Sequence, residues 1–180
     1  MAAGMTGRTT VGATGRADAG DRAEAVQQRL ESLIGRYSPY VGVGIGLALT
    51  PMIVQDAGPA FWLPVGALVV AVLVWSLVFV TLPPVRAQRP AAGAVYMSGL
   101  LVLMALLVVA SPLFAFMALS GYAHALAFLR GTWRWATVAG IAVLAAYSQV
   151  GGRFAEPDVG VGVTFAVLVV VNALLAGVFA

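Results

Sequence analysis

His124 is the only histidine of this 180-residue chain, and it stands inside an uncharged apolar run, two residues after Tyr122. An imidazole can donate through one nitrogen, accept through the other and gain charge near neutral pH. Inside an apolar span such a group reads as a proton-sensitive switch or cofactor ligand, or as a neutral hydrogen-bonding partner of an adjacent helix. One histidine and no cysteine make too small a donor set for a metal centre and exclude a disulfide framework. Paired carboxylates, a hydrolytic triad, a phosphate-cradling glycine loop and a zinc helix are all missing from the sequence, so no catalytic residue and no cofactor is expected.

The elements that must hold His124 are membrane helices. Hydrophobic residues make up 61% of the chain and charged residues 9%, and the mean hydropathy is +0.97, far from the balance of a soluble domain. The net charge of +3 comes from ten basic residues, all arginine, scattered through tail and loops. That distribution argues for topology markers and against nucleic-acid binding. The expected partner is membrane lipid.

Residues 1–20 are rich in Gly, Ala and Thr with little to bury, and read as a disordered tail. Asp21, with Glu24 three residues on, signals a helix start, and Gly35 its end. Val26, Leu30, Leu33 and Ile34 share one face, so residues 21–36 read as a cytoplasmic amphipathic helix that lies on the inner leaflet or pairs with a second copy. A transmembrane domain follows over residues 37–180, with spans at about 37–55, 62–82, 94–110, 113–129, 135–150 and 159–180. The fold class is therefore all-α, a polytopic integral membrane protein of six transmembrane helices with a short N-terminal amphipathic helix.

The count of six rests on residues 90–129, a stretch free of Asp, Glu, Lys and Arg that would make about 60 Å of helix, twice the roughly 30 Å hydrocarbon thickness. A tight turn at Ser111-Pro112 divides it, since proline disfavours helix at the residue before it. Arg29, Arg36, Arg86, Arg89, Arg130 and Arg134 then share one face of the membrane and Arg153 alone takes the other, which places both termini in the cytoplasm. Trp133 and Trp135 flank Arg134 as headgroup-level aromatics. Gly42 with Gly46, and Ala173 with Gly177, repeat small residues at four-residue spacing and mark close helix–helix contacts; Asn172 is expected to bond to a neighbouring helix.

Gly121-Tyr122-x-His124, then Trp133-Arg134-Trp135, then Ala146-Tyr147-Ser148-Gln149-x-Gly151-Gly152 together resemble the membrane sensor region of actinobacterial two-component sensor histidine kinases of the NarL/DesK-like group. The resemblance implies a membrane sensor and anchor in the inner membrane, working as a homodimer. Its candidate sensing or packing residues are Tyr122, His124, Trp133, Arg134, Trp135, Tyr147, Ser148 and Gln149. In that family a dimerisation helix with the phosphorylated histidine and an ATP-binding domain follow the last span, and phosphate passes to a response regulator. The present 180 residues hold neither feature, so a response regulator is implied only if a kinase domain follows Ala180. The alternative is a small polytopic membrane protein, transporter-like, lipid-binding or a complex subunit, with no signalling output.

Overall fold

The computed structural model describes residues 11–55, 57–82, 90–151 and 159–178. All secondary structure among them is helical: α1 (Val11–Ile53), α2 (Pro59–Ser76) continued by a π-helical turn (Leu77–Thr81), α3 (Pro90–Ala110), a 3-10 segment (Pro112–Met117) running into α4 (Ala118–Phe128), α5 (Gly131–Gln149) and α6 (Val159–Val178). Three stretches are long and apolar enough to cross a membrane, Pro59–Thr81, Ala91–Ala110 and Val159–Gly177, while the apolar stretch Pro112–Phe128 is shorter.

The chain divides into two compact units, Met1–Ile34 and Gly35–Ala180. In the first, α1 is already helical from Val11, ten residues before the expected start at Asp21. Residues 11–20 of the expected tail are thus helical, and Met1–Thr10 lies outside the described residues. Val26, Leu30, Leu33 and Ile34 are all exposed, so the apolar face of this segment is uncovered.

The second unit is a helix bundle in which α2 packs on α3, α3 on α4 and α5, and α5 on α4 and α6. Helix α1 does not stop at Gly35; it continues through Pro39 and Pro51 to Ile53. From Gly35 on it runs antiparallel to the 3-10 segment and α4. A Cβ on Gly42 would fall 2.9 Å from the Met117 Cα, and one on Gly46 would fall 2.6 Å from the Phe114 ring. One turn further, the Thr50 hydroxyl lies 3.0 Å from that of Ser111. The two glycines thus admit a neighbouring backbone and an aromatic ring within one chain.

Ser111 is extended, with φ −151° and ψ 123°, because Pro112 disfavours the helical region for the residue before it. The chain reverses there in a single residue. The following turns are 3-10 rather than α-helical, and they bury Phe114 and Met117. A second reversal joins α4 to α5 through extended Arg130 and Gly131, whose φ of +60° suits a residue without a Cβ. Accordingly α5 begins at Gly131 rather than at the expected Trp135. The core between these helices is built on Tyr96, Leu100, Met104, Leu107, Phe114 and Ile141.

Helix α6 departs from an in-register hairpin with α5. Asn172, in its second half, bonds to Gln149, the last residue of α5. The close approach on α6 is made by fully buried Ala176, whereas Ala173 is only partly covered and a Cβ on exposed Gly177 would meet nothing within 4 Å. Within this chain the buried stripe of α6 runs through Asn172 and Ala176.

Candidate functional site: the His124 clamp

Proline at position 39 sets the chemistry of this site. In an uninterrupted helix the Gly35 carbonyl would accept the N–H of residue 39, and proline has none. The carbonyl is instead satisfied from outside the helix. His124 Nε2 lies 2.6 Å from it, and the Ser38 hydroxyl adds a longer bond of 3.3 Å. Because a carbonyl only accepts, His124 must donate through Nε2–H, and in the neutral ring Nδ1 is then an acceptor. Its donor is the Tyr96 hydroxyl, at 2.8 Å.

Both partners of this relay are buried, His124 to 2% exposure and Tyr96 to 0%, so neither can exchange its bond for one to water. Aromatic rings hold the imidazole in place. Phe128, one turn on in α4, stacks tilted at 5.2 Å from the His124 ring and meets Tyr96 edge-on at 5.8 Å. Phe79 lies 5.8 Å from Tyr96 and 4.7 Å from Trp75. The Trp75 indole donates to the Tyr96 carbonyl at 3.0 Å. That ring has space only because position 99 is glycine: a Cβ there would overlap Trp75.

Two described arginines of this unit, Arg36 and Arg134, lie at the same end of the bundle. Arg36, next to Gly35, donates to the carbonyl of Thr81, at the end of the π-helical turn. The Tyr40 hydroxyl pairs with the Thr81 side chain at 2.7 Å. Arg134 folds back to donate to the Leu129 carbonyl at 3.0 Å. Each guanidinium satisfies a carbonyl at a helix C-terminus, where the helix dipole favours a cation. At the other end of the described bundle the contacts are between neutral groups, with Ser148 donating to the Pro112 carbonyl at 2.6 Å and Asn172 to Gln149 at 2.9 Å.

The sequence-derived candidates thus fall into three places. His124 and Arg134 belong to the charged end, and Ser148 and Gln149 to the neutral end. Tyr122 and His124 face different surroundings, since residues two apart on a helix point about 200° apart. Trp133 and Trp135 are 75% and 52% exposed, outside the His124 site. Tyr147 is half-buried beside the core. Arg86, Arg89, Arg153, Asp56, Glu156 and Asp158, on which the full charge count depends, lie outside the described residues.

No family model, curated protein or solved structure matches this chain. Its function is therefore argued from the site.

The residues that make His124 intelligible are Gly35, Pro39 and Tyr96, which the motif reading passes over. A signal for the first two was present: a proline inside a helix frees the carbonyl four residues earlier, and Gly35-x-x-x-Pro39 names that carbonyl. Tyr96 carries no such signal, because nothing in its local sequence says which hydroxyl among several will meet the ring. Among the described residues, no three His, Cys, Asp or Glu side chains gather to hold a metal.

Proposed function

We propose that the chain is the membrane-embedded sensor and anchor portion of a bacterial two-component sensor histidine kinase. In this reading six helices cross the cytoplasmic membrane, the Arg36 end of the bundle is cytoplasmic, and the module works as a homodimer in lipid. A response regulator enters only through a kinase domain continuing past Ala180. The observation that carries the proposal is the His124 clamp. A buried histidine from α4 holds the one α1 carbonyl released by Pro39, in the first residue of the bundle unit. A stimulus that changes packing between α3 and α4 changes that bond and so the set of α1, and shifts of about 1 to 2 Å at helix interfaces are a known switching scale. The gathering of Arg36 and Arg134 at this end supports a cytoplasmic assignment for it. The local likeness of Gly121–Gly152 to kinase sensor regions supports the output.

The test joins the chain, after Ala180, to the dimerisation and ATP-binding portions of a sensor kinase deprived of its own membrane region. Autophosphorylation from labelled ATP is then measured in proteoliposomes. The proposal expects His124→Leu to change phosphorylation at least threefold at equal protein amount. Equal phosphorylation of His124→Leu and the parent defeats the signalling reading.

The alternative, a lipid-binding membrane protein without signalling output, has one observation in its favour, the cavity described next.

A further inference from the structure

A cavity of about 500 Å³ opens between the 3-10 segment with α4, the end of α5 and the second half of α6. Its walls are mostly hydrocarbon, Phe116, Leu119 and Leu175 among them, with Tyr122, Ser148, Gln149 and Asn172 as polar exceptions, of which the Ser148 hydroxyl is bonded to the Pro112 carbonyl. This volume falls in the range of small-molecule sites, which combine apolar walls with a few orienting polar groups.

Two of the polar groups are not used up by the fold. The Tyr122 hydroxyl is buried and has no hydrogen-bond partner among the described residues, although Tyr122 is only 3% exposed. Burying a hydroxyl without a partner is unfavourable, and phenylalanine would fill the same space without it. Both amide hydrogens of Asn172 are committed, one to Gln149 and one to the Leu168 carbonyl, which leaves its oxygen as an acceptor. No charged side chain is among the described residues that line the cavity, so a carboxylate or phosphate head would find no counter-ion among them.

We propose that this cavity binds a neutral, largely apolar molecule carrying one hydroxyl group, drawn from the lipid phase. The ligand's hydrocarbon part lies against Phe116, Leu119 and Leu175, and its hydroxyl bonds to the Asn172 oxygen and to the Tyr122 hydroxyl, which a small shift of the Tyr122 side chain brings into the cavity. This site is separate from the His124 clamp, and the proposal holds whether or not the module signals; it needs only that the bundle sits in lipid.

The experiment uses the whole chain in lipid nanodiscs and a photoreactive long-chain fatty alcohol bearing a diazirine, with the matching fatty acid as a charged comparison. Mass spectrometry is expected to place the alcohol's cross-links on residues 112–122 and 172–175, with unlabelled alcohol competing them away. Tyr122→Phe should lower this labelling at least threefold while keeping or raising the melting temperature of the ligand-free protein. Leu175→Trp, at a half-exposed position on α6, should block it by filling the space. Three results overturn the proposal: labelling spread along the exposed faces without competition, labelling unchanged in both variants, or equal labelling by the charged acid.

Discussion

Gln149 and Asn172 meet side chain to side chain at 2.9 Å, although one ends α5 and the other lies thirteen residues beyond the start of α6 at Val159. At 1.5 Å rise per residue the pair is about 20 Å out of step with a hairpin whose ends are level. Hydropathy cannot reveal such a stagger, because a helix as apolar as Val159–Gly177 reads as a span at any axial position. The chain lacks cysteine, so the relation is directly checkable. The double variant Gln149→Cys/Asn172→Cys should be bridged by a thiol cross-linker of about 10 Å, and Gln149→Cys/Gly160→Cys should not. Bridging of the second pair in preference to the first would restore the level hairpin.

The glycines of the bundle should separate sharply under substitution. Gly99→Ala drives a methyl into the Trp75 ring, which is itself held by the Tyr96 carbonyl. It is expected to destabilise by about 1–3 kcal/mol, the cost of overpacking. Gly44 faces open space, and Gly44→Ala should be neutral or stabilise by up to about 1 kcal/mol through helix propensity. Reversible unfolding in mixed micelles measures both, and similar costs for the two would contradict the packing.

Much of the architecture was legible. Composition required membrane-type helices, and the 40 uncharged residues from Pro90 to Leu129 with Ser111-Pro112 at their middle announced the reversal seen at Ser111. Gly35 misled because a glycine after a periodic run commonly caps a helix. Here, however, the helix continues into an apolar segment whose Pro39 leaves only one carbonyl to be satisfied, and His124 supplies that bond. Gly42 and Gly46 face Met117 and Phe114, whereas a Cβ on Gly177 would meet nothing within 4 Å. Spacing identifies a smooth strip, but only the placement of a neighbour makes it a contact. His124 could be singled out because it is alone; Tyr96, one of five tyrosines, could not.

The central claim is that His124 supplies the hydrogen bond that Pro39 removes from α1. Its most direct measurement is a double-mutant cycle on unfolding free energy with Pro39→Ala and His124→Leu. Alone, His124→Leu leaves the Gly35 carbonyl with only the longer Ser38 bond and the Tyr96 hydroxyl without its acceptor, and should cost about 1–3 kcal/mol. With alanine at position 39 a backbone N–H is available to the same carbonyl, while the loss at Tyr96 is common to both backgrounds and cancels. The account predicts that His124→Leu becomes cheaper by about 1 kcal/mol in the Pro39→Ala background; costs equal within about 0.3 kcal/mol, the range of independent sites, would contradict it.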